Sequence, residues 1–151
     1  MIIRFAEDNE LEVWKKLAKD VADIFGNPTM DIDLEFIGYA QRKILQKEAL
    51  IAVDDLNKEF YGIIGFSRKF NRITWFGVFE KYRSKGIGSK LLESALNELD
   101  KTKEITVETY RENFIPGQPA RKIYKKFGFK ETDINLFDSF GNERSKFVIN
   151  V

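Results

Sequence analysis

The chain has 151 residues, 43% hydrophobic and 14% aromatic, which suits one domain around one apolar core with no need of a disulfide or metal staple. It contains no cysteine and no histidine, so thiolate nucleophiles, disulfide frameworks and histidine-based zinc sites or triads are excluded; acid–base work falls to Asp, Glu, Tyr or Lys. With 25 basic and 24 acidic side chains the formal charge is +1, too small a field to draw in nucleic acid or an anionic membrane, and no apolar run approaches the length of a membrane span.

Ile2, Ile3 and Phe5 read as a first strand. The opening Met1 to Ala6 thus lacks the apolar core of a secretory leader, and a cytoplasmic location is expected. Trp14, Leu17, Ala18, Val21, Ala22 and Phe25 recur at helical steps, with Asn9 and Glu12 at capping-box spacing and Gly26, Asn27 and Pro28 as terminators. Ile37, Ala40, Ile44 and Leu45 mark a second helix behind the acidic residues Asp31, Asp33 and Glu35, whose charges suit its N-terminus. Residues 49–53, 60–66 and 73–79 read as an antiparallel meander of three strands. The period then changes: Ile87, Leu91, Leu92, Ala95, Leu96 and Leu99 form one helical stripe. A strand over 104–110 follows, then a helix through Ala120, Ile123, Tyr124 and Phe127 closed by Gly128, then strands over 129–137 and 144–151 joined by a turn around Phe140, Gly141 and Asn142. No linker or repeat divides the chain. The expected fold is a mixed α/β sheet of about seven strands flanked by about four helices, in a single domain over 1–151, with a right-handed parallel crossover from Ile73 to Thr109.

The junction after the third meander strand concentrates the chemistry. It reads Val78-Phe79-Glu80-Lys81-Tyr82-Arg83-Ser84-Lys85-Gly86-Ile87-Gly88-Ser89. Gly86 and Gly88 let a backbone come close to a ligand and expose consecutive N–H groups where a helix begins, a setting that suits a phosphate. The dinucleotide fingerprint fails here because Leu91 stands where a third small residue is needed, and the P-loop fails because no Gly-Lys-Ser/Thr lies five residues after the first glycine.

The remaining pattern, Val78 then Arg83-x-x-Gly86-x-Gly88, resembles the acyl-coenzyme A signature of the GNAT superfamily of N-acetyltransferases. The family's second motif is matched by Ala120, Tyr124, Gly128 and Phe129. The resemblance implies acetyl-CoA as acyl donor, with no metal. Its pantetheine arm would lie along Phe76, Gly77 and Val78 and its pyrophosphate over Ser84, Lys85, Gly86, Ile87, Gly88 and Ser89, with Arg83 and Lys85 adding charge. Asn113 becomes a cofactor contact if four residues are inserted around Phe114 to Pro119; alternatively Pro116 and Pro119 form a rigid loop shaping the acceptor pocket. The resemblance also makes Tyr124 the acid that protonates the departing thiolate and Glu108, on the following strand, the base that draws a proton from the amine through water. Packing in the core for Tyr124 and simple solvation for Glu108 are the plain alternatives.

The implied acceptor is a primary amine of a small molecule or peptide, taken up directly because no cysteine can carry the acetyl group, by a monomer or homodimer. Asp31, Asp33 and Glu35 either wall an acceptor site for a cationic amine or merely cap the second helix. Two other readings stay open: an acyl-CoA sensor without turnover, and a polyanion-binding module whose basic surface would include Lys81, Arg83, Lys85, Lys90, Arg121, Lys122, Lys125, Lys126 and Lys130. The near-zero net charge weighs against the second, as it does against nucleic acid in general.

Overall fold

The computed structural model describes residues 1–25, 27–110, 113–138 and 141–150, and of 133–135 the backbone alone. The roles read for Gly26, Phe140 and Val151 lie outside the described residues. Strand β1 (Ile2–Phe5) is followed by α1 (Leu11–Asp20), a single turn α2 (Ala22–Phe25) and α3 (Leu34–Leu45). The meander β2 (Ala49–Val53), β3 (Phe60–Ser67) and β4 (Arg72–Val78) leads into α4 (Ile87–Asn97) and β5 (Ile105–Tyr110), and the chain ends with α5 (Gln118–Lys126), β6 (Lys130–Phe137) and β7 (Glu143–Ile149). The strands form one seven-stranded sheet in the order β1-β2-β3-β4-β5-β7-β6. Every neighbouring pair is antiparallel except β4 and β5, the parallel pair joined through α4.

Alternation divides the sheet between two cores. Ala49, Ile51, Val53, Ile63 and Trp75 face α1 and α3, where Trp14, Leu17, Ala18, Phe36 and Ala40 close around them. Leu50, Ala52, Ile64, Phe66 and Ile73 face the opposite side, under Leu91, Leu92 and Ala95 of α4 and Tyr124 of α5. Burial of one such aromatic side chain stabilises the fold by roughly 2–3 kcal/mol, so the two tryptophans and Phe66 anchor their layers.

Two local expectations change. The helix expected to run from Trp14 to Phe25 breaks at Val21, whose N–H turns to the carbonyls of Leu17 and Lys19. At the end of α1 the Asp20 carboxylate accepts the Glu80 N–H at 2.8 Å, which ties that helix to the turn leaving β4. The capping box is not Asn9 with Glu12. Residues 8–10 form a 3-10 turn, so the Glu7 N–H donates to Glu10 at 2.8 Å, and Glu10 also takes two bonds from Arg4 at 2.8 and 2.7 Å. Glu12 pairs instead with Lys15.

Candidate active site

The site begins as a fork in the sheet. β4 and β5 are in register only at Arg72–Thr106 and Ile73–Val107, and beyond that point no pairing joins them. The cause lies on β4: Phe66 faces Ile73 and Gly65 faces Trp75, so Thr74 is an extra residue, a bulge that bends the strand. From Thr74 to Val78 the edge of β4 toward β5 therefore presents backbone groups without a strand partner. One exception is the Val78 carbonyl, which accepts Arg83 Nε at 3.1 Å.

At the end of that edge the chain makes a 3-10 turn over Glu80–Tyr82 and enters α4. Ser84 and Gly86 both hold positive φ, 65° and 80°. No amide N–H from Ser84 to Ser89 donates to another group among the described residues, leaving a row of free donors at the N-terminus of an eleven-residue helix. The two glycines have different reasons. A Cβ at Gly86 would meet nothing within 4 Å, so that position is set by its left-handed backbone. A Cβ at Gly88 would sit 3.0 Å from Ile123 Cδ1 and 3.2 Å from Phe76 Cζ, so there the need is close packing.

A cleft of about 460 Å³ lies along this edge and turn. Of the residues singled out from the sequence, Phe76, Gly77, Val78, Arg83, Ser84, Gly86, Ile87, Gly88 and Ser89 line it. Lys85 and Asn113 do not. Lys85 lies beside the Tyr82 ring, 5.8 Å from its centre, and Asn113 is an exposed turn residue, so the insertion that would have brought it to the cofactor is not matched by its position. The far wall comes from Pro116, Pro119, Ala120, Lys122 and Ile123, with Tyr82 at the turn. Both prolines read as a rigid loop thus line this cleft. The sequence signalled them only as a rigid loop, and Ile123 only as part of an apolar stripe.

A second, smaller cavity of about 50 Å³ fills the fork itself and meets the cleft at Ile24, Phe76 and Ala120. Tyr124 and Glu108 both line it, on opposite sides of the gap: Tyr124 from α5 and Glu108 from β5. Tyr124 is 3% exposed, its ring against Phe76, Phe129 and Phe147. Burial pushes its phenol well above the ordinary tyrosine value, with Arg144 acting weakly the other way. Its helix is closed firmly just beyond it, since Gly128 takes φ 95° and the Phe129 N–H returns to the Tyr124 carbonyl at 3.0 Å. Glu108 is exposed, and its own carbonyl accepts Arg144 Nη2 at 2.6 Å. Tyr110 closes the outer end: its hydroxyl donates to the Phe25 carbonyl and lies 3.5 Å from Asp138, and burial pushes its pKa up to about 12.

Two charged groups singled out from the sequence have structural roles. Asp33 caps α3 by accepting the Glu35 N–H at 2.9 Å, and none of Asp31, Asp33 and Glu35 lines either of these two cavities. Arg121 is 2% exposed, bonded to Glu131 at 2.9 and 3.2 Å and to the Tyr110 carbonyl at 3.0 Å, so it cannot join a basic surface. Its guanidinium holds the Glu131 carboxyl below the usual carboxylate range.

The forked mixed sheet thus places free helix-terminal amides beside an unpaired strand edge in one cleft. The model of the "Acetyltransferase (GNAT) domain" family matches residues 45–131, and the chain belongs to that family. It is 32% identical over 103 residues to an N-alpha-acetyltransferase of Sulfurisphaera tokodaii, across 58% of this chain; the match spans 60% of that curated relative's length. Among solved structures it resembles a ribosomal-protein-alanine N-acetyltransferase from Brucella melitensis, with a TM-score of 0.76 at 18% identity over 100% of both chains. It also resembles yncA from Salmonella typhimurium, solved with its cofactor acetyl-CoA, with a TM-score of 0.74 at 15% identity over 99% of this chain and 92% of that one. At these identities the solved structures share its fold.

Proposed function

We propose that the chain is an acetyl-CoA-dependent N-acetyltransferase that moves an acetyl group directly to a primary amine. The observation that carries the reading is the row of undonated amides from Ser84 to Ser89 opening onto the same cleft as the unpaired edge of β4. That arrangement suits a ligand with an amide-bearing arm and phosphates at one end: the Phe76–Val78 edge would hold the arm and the turn the pyrophosphate, with Lys122 and Arg83 supplying positive charge. Acetyl-CoA supplies an activated thioester carbonyl. The chain's own residues would do the rest. Glu108 would draw a proton from the ammonium of the acceptor through water, freeing its lone pair. As the carbon–nitrogen bond forms and the carbon–sulfur bond breaks, Tyr124 would give its phenolic proton to the departing sulfur, and the second proton shed by the acetylated nitrogen would return to the phenolate. Burial raises its pKa, so the phenol is protonated at neutral pH and is a weaker acid than an exposed tyrosine. The family resemblance makes the backbone N–H of Val78 the donor for the developing oxyanion.

The relatives named for N-alpha and ribosomal-protein-alanine acetylation favour a peptide α-amine as the first acceptor to test, ahead of small-molecule amines, and a cytoplasmic setting follows from the sequence reading. The test is calorimetric titration with acetyl-CoA, beside the Gly86→Glu variant, whose positive φ and added carboxylate both oppose an anion at the turn. Micromolar binding by the parent chain, lost in a folded variant, is expected; no binding by the parent removes the reading.

A further inference from the structure

The fork depends on a bulge, and the bulge has a pin. Tyr39 of α3 reaches across the sheet face, and its hydroxyl shares a hydrogen bond with Thr74 Oγ1, the side chain of the one extra residue in β4. The opposite strand makes room for this contact. Gly65 of β3 lies against both partners, and a Cβ built there would stand 2.5 Å from the Tyr39 hydroxyl and 3.4 Å from Thr74 Oγ1. The Tyr39 ring is held in turn by Trp14, with centres 5.9 Å apart, and by Phe36 at 6.4 Å.

We propose that Tyr39 and Thr74 are positioning residues for the transfer site: their bond fixes the bulge just past Ile73, the last residue of β4 paired with β5, and so sets how far the Phe76–Val78 edge stands from Glu108 and Tyr124. Neither residue need touch the reacting atoms. A bulge is a local irregularity that a strand of regular alternation tends to anneal, and annealing this one would move each residue after Thr74 to the opposite face. A tertiary hydrogen bond to the inserted residue opposes that slip. The inference rests on the transfer reading only for its kinetic readout, because the position of the strand can be followed without ligand.

The experiment compares Tyr39→Phe, Thr74→Val and Thr74→Ser with the parent chain by hydrogen exchange of a peptide covering 72–79, and by steady-state kinetics with acetyl-CoA and a peptide amine. The first two variants remove the bond at nearly constant volume, whereas serine keeps the hydroxyl. Faster exchange confined to 72–79 in Tyr39→Phe and Thr74→Val is expected, with kcat lowered about tenfold and both restored toward the parent in Thr74→Ser. A purely structural role would lower thermal stability and leave kcat per folded molecule unchanged, and that result overturns the proposal. Unchanged exchange in both hydroxyl-deleting variants also overturns it, with or without turnover. If exchange rises as expected but the parent chain acetylates nothing, the pin stands and the transferase reading falls.

Discussion

Replacing Gly88 by alanine should separate binding from stability. The new methyl gains up to about 1 kcal/mol of helix propensity in the first turn of α4. Its Cβ would lie 3.0 Å from Ile123 Cδ1 and 3.2 Å from Phe76 Cζ, both of them side-chain ends that can give by a few tenths of an ångström. Such crowding costs about 1 kcal/mol, so the net change in stability is close to zero. Both displaced side chains line the cleft, however, and a shift into it would narrow the space for a ligand. Acetyl-CoA affinity should fall about tenfold, or ~1.4 kcal/mol. Gly86→Ala should do the reverse. Its Cβ meets nothing, but φ of 80° costs a side-chain-bearing residue ~1–2 kcal/mol, offset by roughly 0.4–1 kcal/mol from the stiffer unfolded chain. The melting temperature should drop by roughly 3 °C while affinity changes little. Calorimetric titration and thermal melts of the two variants decide the matter. Parent-like binding by Gly88→Ala together with lost binding by Gly86→Ala would refute the division of roles.

Tyr124→Phe should lower kcat by about a hundredfold with acetyl-CoA affinity unchanged, and because the folded phenol titrates above its ordinary value of about 10, the parent rate should show no alkaline fall before that pH. Glu108→Gln should lower kcat at neutral pH, measurable in the same assay; unchanged turnover in both variants would remove the acid–base assignment while leaving the binding cleft intact. Arg121→Met should destabilise by about 2 kcal/mol, since it strands the Tyr110 carbonyl and the Glu131 carboxylate; chemical denaturation measures this. Glu131 has a depressed folded pKa, so the stability it contributes is complete above its unfolded value near ~4.3 and is lost as pH falls through the folded value; denaturation curves of Glu131→Gln should converge with the parent's in that acid window.

The pattern of apolar residues carried most of the fold. The β2–β4 meander, the α4 stripe and the Gly128 cap all lie where their spacing places them, because each is specified by residues near in sequence. The glycine turn was legible for the same reason. The fork was not: Ile73, Trp75 and Gly77 alternate as in a regular strand, and nothing in that run reveals that Thr74 is the residue without a partner. Charges misled more than apolar residues did. Arg121 reads as one of a basic series on α5, yet its helical face turns it under β5, where Glu131 waits from a later strand. Asp33 reads as a helix cap or, less readily, as part of an acceptor wall, and the 2.9 Å bond from the Glu35 N–H shows the cap. Pro116 and Pro119 announced a loop, but which cleft the loop bounds depends on a crossing of α5 that no local signal encodes.

The parting of β4 and β5 leaves two bare strand margins in the middle of a sheet, and bare margins are where unrelated chains recruit one another into aggregates. Here they look at each other across a slot, with α4 and α5 closing one side and the end of α2 the other. A thin, unbranched chain can thread such a slot and borrow the margin for its own amides. The molecule thereby keeps one adhesive margin inside the sheet, while its neighbours meet the outer edges of β1 and β6.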